Sequence, residues 1–140
     1  MFYVLCGIPG SGKSTIATQL AKEQNAKVYS YDTVRHESKL GAFEDICTLI
    51  CQNIISDLSD GHNVIYDAPN HKLIYRQDIL NAISDIPCKK ICVVLLTPFE
   101  ECLKRNVNRE TRLPDFVLHE IYSNFELPTL DEGWDEILYY

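Results

Sequence analysis

The sequence predicts an α/β chain in three layers, a parallel sheet with helices on both faces. Three observations carry that expectation. The apolar run "FYVLC" leads directly into "GIPGSGKST", a glycine-rich turn that opens a helix. Strand-like apolar runs alternate with stretches of helical periodicity along the chain, and such alternation argues for parallel pairing with crossover helices. The run "KKICVVLLT" is almost continuously apolar, as a strand covered on both faces has to be.

Taken in order, the first strand covers about residues 2–6, and the glycine-rich loop feeds a helix whose apolar positions Ile16, Ala17 and Leu20 share one face. "KVYSYD" reads as the second strand. "FEDICTLICQNIISDL" sets Phe43, Ile46, Ile50, Ile54 and Leu58 at spacings of three and four, the pattern of an amphipathic helix. "HNVIYDA" is the third strand, behind the turn signal Asp60-Gly61. A helix over residues 73–83, the fourth strand "KKICVVLLT" and helices near 99–106 and 115–124 follow. The tail "WDEILYY" reads as a fifth strand or as a segment packed on the sheet. At 140 residues and 46% hydrophobic composition, the chain buries one substantial core, so residues 1–140 are expected to form a single domain.

The loop carries the most specific signal. Its spacing is Gly7-x-x-x-x-Gly12-Lys13-Ser14, the Walker A pattern. Gly7, Gly10 and Gly12 let successive N–H groups turn inward around a phosphate, with the positive end of a helix behind them. Lys13 adds a mobile cation for the β- and γ-phosphates. Ser14 offers a hydroxyl to Mg²⁺, which keeps most of its water and takes only one or two protein ligands. Pro9, Ser11 and Thr15 lie inside the same cradle and are assigned to the nucleotide with it. ATP or another nucleoside triphosphate and Mg²⁺ are therefore the expected cofactors.

Composition narrows the remaining classes. No run of about 18 apolar residues occurs, and "MFYVLCG" has neither a basic lead nor a small-residue cleavage site, so a cytoplasmic, membrane-free protein is expected. Six cysteines without a secretion signal read as reduced thiols; the pairs Cys47 with Cys51 and Cys88 with Cys92 lack metal-site spacing. The net charge of −7 argues against a broad basic face for long duplexes and leaves a small local cleft open.

In a parallel sheet, ligands sit beyond the carboxyl ends of the strands. Gly7, Asp32 and Asp67 each fall at or just after such an end, so all three are expected at one cleft. Asp32 opens "DTVR"; it suits either a base taking a proton from an alcohol or a helix cap, with Arg35 three residues on to hold an anionic substrate. Asp67 ends "NVIYDAPN", where it suits the Mg²⁺ water shell or substrate, with Asn70 serving either ligand or turn. "LKRNVNRETRLPDFVL" brings Arg105, Arg109 and Arg112 together, with Arg105 and Arg109 four apart on a shared helix face and Pro114 ending that helix and starting the next. Planar guanidinium forks suit transferring phosphate; the alternative is an exposed basic face paired with Glu100, Glu101 and Glu110. His36, His62, His71 and His119 are scattered without metal-ligand spacing.

The blocks "GIPGSGKST", "YDTVR", "VIYDAPN" and "LKRNVNRETRLPDFVLHEIY" together resemble the P-loop kinases around phage polynucleotide 5′-kinase, including small kinases of the AAA-33 type. The resemblance covers most of residues 2–125. It implies a P-loop kinase fold with strand order 2-3-1-4-5 and a helical lid over about 105–115. It implies transfer of the γ-phosphate of ATP to a hydroxyl, foremost the 5′-hydroxyl of a nucleic-acid end. Residue by residue, it implies Lys13 and Ser14 on phosphates and Mg²⁺, Asp32 as general base, Arg35 on the acceptor's phosphate, Asp67 as an acceptor-side or metal-shell group and Arg109 as the lid arginine; Arg105, from the same arginine cluster, is assigned to the nucleotide. "DAPN" has one more residue between Asp67 and Asn70 than the family's usual pattern. A kinase of a nucleoside or other small hydroxyl substrate, and a regulatory NTPase without an acceptor, are the alternative expectations.

Overall fold

The computed structural model describes residues 1–110 and 112–140; Thr111, inside the expected lid, lies outside the described residues. Five parallel strands, β1 (Phe2–Cys6), β2 (Ala26–Ser30), β3 (Asn63–Asp67), β4 (Lys90–Val94) and β5 (Glu136–Tyr139), form one sheet in the order β2-β3-β1-β4-β5. That is the expected order, with the tail resolved as an edge strand. The helices are α1 (Lys13–Gln24), α2 (Tyr31–Ser38), α3 (Phe43–Ser59), α4 (Leu73–Ala82), α5 (Phe99–Val107) and α6 (Asp115–Ser123).

Alternation along the central strands divides the core in two. Phe2, Val4, Cys6, Val64, Tyr66, Cys92 and Val94 face a cluster built with Ile46, Ile50 and Ile54 of α3 and Ile79 and Leu80 of α4. Tyr3, Leu5, Ile65, Ile91 and Val93 face Ala17 and Leu20 of α1 on the other side. Central strands with both faces covered can therefore be apolar throughout, which is what "CVV" in β4 records. The three-residue and four-residue spacing in α3 delivers Ile46, Ile50 and Ile54 fully into the core. All six cysteines are free. No helix among the described residues is long and apolar enough to cross a membrane.

Two elements differ from expectation. The second strand stops at Ser30 rather than running to Asp32, and Tyr31–Ser38 is helical. The ladder gives the reason: Ser30 is paired with Asp67, the last residue of β3, so the backbone beyond it has no partner left and turns into a helix. Helix α5 ends at Val107, well before Pro114, so Arg109 does not share a helix face with Arg105. The break is made by Asn106, which is fully buried and whose side-chain amide donates to the Leu113 carbonyl at 2.7 Å and accepts from the Leu113 N–H at 3.1 Å. Pro114 does not end α5, but it caps the start of α6, the helix it is expected to begin.

The C-terminal segment is tied in by a buried ion pair. Arg76 of α4 is fully buried and forms a two-bond fork with Glu132, Nε at 2.8 Å and Nη2 at 3.2 Å. Its Nη1 donates to the Asn70 carbonyl at 2.9 Å, so this pair also braces the turn after β3, beneath the cleft.

Candidate active site

The glycine-rich loop leaves the end of β1 and folds over the start of α1. Gly10, at φ 86°, and Gly12, at φ 97°, take left-handed backbone that a side chain disfavours. A Cβ on Gly10 would also lie 2.8 Å from the Cys102 carbonyl, so the loop is pressed against α5. Two side chains pin it from outside: the Thr97 hydroxyl donates to the Ser11 carbonyl at 2.7 Å, and Arg105 Nη1 donates to the Gly10 carbonyl at 3.2 Å. Lys13 curls back and donates from Nζ to the carbonyls of Gly7 and Ile8, at 3.0 and 3.2 Å. Burial pushes its ammonium below the ordinary lysine range, with the Asp67 carboxylate opposing that shift.

Above the loop lies a cavity of about 800 Å³ at the carboxyl ends of the strands. Ser14, Asp32, Arg35, Asp67, Arg105 and Arg109 all line it, along with the loop from Pro9 to Thr15. The convergence of Asp32 and Asp67 with the loop follows from sheet geometry, since β2, β3 and β1 are adjacent and parallel. Asp32 makes no side-chain cap to α2; it stands in the first turn, behind Ser30. Its carboxylate is 4.0 Å from Arg109 Nη2. Arg109 Nη1 is buried and has no hydrogen-bond partner among the described residues.

The Ser14 hydroxyl donates to Asp67 Oδ2 at 3.4 Å, which brings two hard oxygen donors together beside the loop. Burial raises the Asp67 carboxyl above the usual carboxylate range, with Lys13 and the Ser14 hydrogen bond pulling the other way. A buried carboxylate whose charge is this costly, next to a hydroxyl, fits a divalent magnesium ion, which accepts oxygen ligands and would restore the charged form.

Two of the expected site residues are not in this cleft. Asn70 is buried beneath it at φ 48°; its amide donates to the carbonyls of Leu5 and Ala68, at 3.0 and 3.2 Å, and its own carbonyl accepts from Arg76. It therefore shapes the turn and presents nothing to the cavity. Gly7 sits below the cavity wall, where a Cβ would meet Ser11 Oγ at 2.6 Å. Arg112 is exposed and does not line the cavity. Sequence reasoning missed Thr97 and Asn106. Thr97 had a usable signal, its position just after the fourth apolar run, whereas the role of Asn106 depends on a bond to Leu113 that local pattern does not reveal.

The chain that folds into this sheet, with a Walker A loop after its central strand β1, matches over residues 1–139 the protein family described as "Chromatin associated protein KTI12". The chain belongs to the KTI12 family. This KTI12-family chain is 25% identical over 143 residues to L-seryl-tRNA(Sec) kinase of Methanococcus maripaludis, covering 96% of this chain and 56% of that protein. It is 24% identical over 139 residues to the bifunctional polynucleotide phosphatase/kinase of Schizosaccharomyces pombe, covering 96% of this chain and 32% of that protein. The KTI12-family chain thus spans roughly half or less of the length of these relatives. The crystal structure of Chaetomium thermophilum Kti12 in complex with ADP-AlF3 superposes with a TM-score of 0.79 at 15% identity, covering 100% of this chain and 88% of that one. The KTI12-family fold seen here is a kinase-like P-loop nucleotide-binding fold.

Proposed function

We propose that the chain is an ATP- and magnesium-dependent phosphotransferase, with the 5′-hydroxyl of a polynucleotide or oligonucleotide as its acceptor. One observation carries the reading: a buried guanidinium nitrogen of Arg109, without a partner among the described residues, stands beside the Asp32 carboxylate over a phosphate-binding loop. A buried donor left unpaired costs free energy, so it is built to meet a ligand, and a planar fork next to a carboxylate suits phosphoryl transfer to an alcohol. The likeness to relatives named as a seryl-tRNA kinase and a polynucleotide kinase supports a nucleic-acid acceptor.

In this reading the loop from Pro9 to Thr15, which lines the cavity, holds the phosphates through its N–H groups. Lys13 exchanges its two carbonyl contacts for the β- and γ-oxygens. Ser14 and Asp67 would hold Mg²⁺, which would supply positive charge to offset that of the transferring phosphate. Arg35 binds the acceptor's phosphate and Arg105 steadies the loop. The acceptor hydroxyl oxygen attacks the γ-phosphorus, its proton passes to an oxygen of Asp32, and the bond from phosphorus to the β,γ-bridging oxygen breaks to release ADP. Arg109 donates to the equatorial oxygens as charge develops on them. Residues 1–140 act as one catalytic domain, with the segment 105–115 as its lid.

The test uses γ-labelled ATP with magnesium against 5′-hydroxyl oligonucleotides, nucleosides and small alcohols. Label is expected on oligonucleotides, and Asp32→Asn is expected to bind ATP as before while losing about 10²–10⁴-fold in rate, as for a general base. A second reading, a regulatory NTPase without an acceptor, is in keeping with a family described as chromatin associated, and predicts hydrolysis of ATP with no label on any acceptor. That outcome overturns the kinase reading; label confined to nucleosides or small alcohols overturns the polynucleotide acceptor.

A further inference from the structure

Aromatic rings continue outward from the wall of the cavity. Tyr31, the first residue of α2, lines the cavity itself. Its ring centre lies 5.4 Å from that of Phe43, the first residue of α3, and Phe43 lies 6.1 Å from Tyr75 in the first turn of α4. Beyond Tyr75 come His71, 5.6 Å away, and the Lys72 ammonium, 5.9 Å from the Tyr75 ring centre. Since β2 and β3 end at Ser30 and Asp67, all of these residues gather at the carboxyl edge of the sheet, on the same rim as the cleft.

Packing does not account for Phe43. Helix α3 is held by Ile46, Ile50 and Ile54, all fully buried, while the Phe43 side chain is 51% exposed. The chain carries −7 net charge, yet this row is flanked by Arg35 on the cavity side and Lys72 at its far end. One exposed ring, Phe43, set between the half-buried rings of Tyr31 and Tyr75 and bracketed by cations, is continuous with the cleft and has the chemistry of a single-strand nucleic-acid track, in which bases stack on rings and basic side chains take the backbone. A small metabolite confined to the cavity would have no use for rings that run beyond it.

We propose that Phe43, with Tyr31 and Tyr75 on either side, is a stacking ledge for the bases of a single-stranded acceptor, whose phosphates are met by Arg35 and Lys72. The proposal rests on the polynucleotide-acceptor reading above. It assigns the acceptor preference: a 5′-hydroxyl end whose first few nucleotides are unpaired, with little discrimination between bases, since every base offers a π face.

The experiment measures the acceptor KM for a short 5′-hydroxyl oligonucleotide and for a matched strand lacking bases after the first nucleotide, with magnesium and γ-labelled ATP. Phe43→Ala is expected to raise KM for the full oligonucleotide about tenfold, the effect of losing one stacked base. On the strand without bases it is expected to raise KM by less than about twofold. Phe43→Tyr restores the wild-type KM, and Phe43→Leu, which keeps apolar volume but not the ring, behaves as Phe43→Ala and so guards against a folding defect. An unchanged oligonucleotide KM in both Phe43→Ala and Phe43→Leu, with label still transferred, overturns the ledge alone. No label on any oligonucleotide with the wild-type protein overturns the acceptor reading and the ledge with it.

Discussion

Asn106 holds the loop proposed above as a lid, and its removal gives the most informative single perturbation. The chain from Asn108 to Leu113 carries Arg109, and the two bonds from the Asn106 amide to Leu113 close it, a donor bond of 2.7 Å and an acceptor bond of 3.1 Å. Each such bond contributes about 1 kcal/mol net, and their loss strands the Leu113 N–H and carbonyl, so Asn106→Ala weakens closure by about 2 kcal/mol. That is about a 30-fold shift in the equilibrium between closed and open loop. If Arg109 acts only from the closed loop, kcat falls at least about tenfold with Asn106→Ala while KM for ATP moves little, because the phosphate loop has its own anchors in Thr97 and Arg105. Asn106→Asp keeps the acceptor for the Leu113 N–H and loses the donor, so it should fall between wild type and Asn106→Ala. Hydrogen exchange supplies the independent readout: the Leu113 amide should exchange about 30-fold faster in Asn106→Ala, with amides of β1 and β4 retaining their protection. Wild-type exchange at Leu113 together with wild-type kcat would refute the reasoning. So would a loss of kcat accompanied by equal loss of protection in the central strands, since that pattern is general destabilisation.

Arg109→Lys keeps the charge but loses the planar fork and the buried Nη1 donor, so kcat should drop at least about tenfold with thermal stability nearly unchanged; full activity in steady-state kinetics would reduce the 4.0 Å approach to Asp32 to a surface ion pair. His71 predicts a pH effect. Burial, with Lys72 and Lys13 nearby, pushes its imidazole down to about 4, and its Nδ1 has no partner among the described residues. A depressed folded value means the stabilisation is complete above the unfolded value of about 6.5 and is lost as pH falls toward 4. At about pH 5 the loss is roughly 2 kcal/mol, and urea unfolding of His71→Gln should show a pH dependence shallower than wild type by that amount; parallel curves would place the imidazole in contact with water.

The residues of the cleft that could be read from the sequence share one property. Lys13, Ser14, Asp32, Arg35 and Asp67 each follow the carboxyl end of a strand closely, and parallel pairing brings such positions to one edge whatever the intervening chain does. The helix α3 was legible for a related reason, because its apolar spacing answers to a sheet face and not to any particular partner. Tyr31 and Asp32 looked like strand because tyrosines alternate in "VYSY", but a strand extends only as far as its neighbour, and β3 stops at Asp67. Asn70 read equally as a ligand or as a turn residue, and the turn prevails: its amide is satisfied by the Leu5 and Ala68 carbonyls beneath the cleft. Arg109 was found by its chemistry and misplaced by its periodicity, since the helix that would have carried it is broken by Asn106 reaching seven residues ahead. The Arg76 pair with Glu132, 56 residues apart, left no local trace at all. The division is physical: groups that meet a ligand sit where topology sends them, whereas groups that hold loops act through backbone atoms that carry no residue identity. Arg109 belongs to both classes in the proposed mechanism, where its fork takes phosphate, while its location follows from the Asn106 amide bonded to Leu113. Substitutions at positions 107–110, 112 and 113, which are exposed or half-buried, should therefore disturb turnover more than that exposure suggests, and the fully buried Asn106 is where the coupling is concentrated.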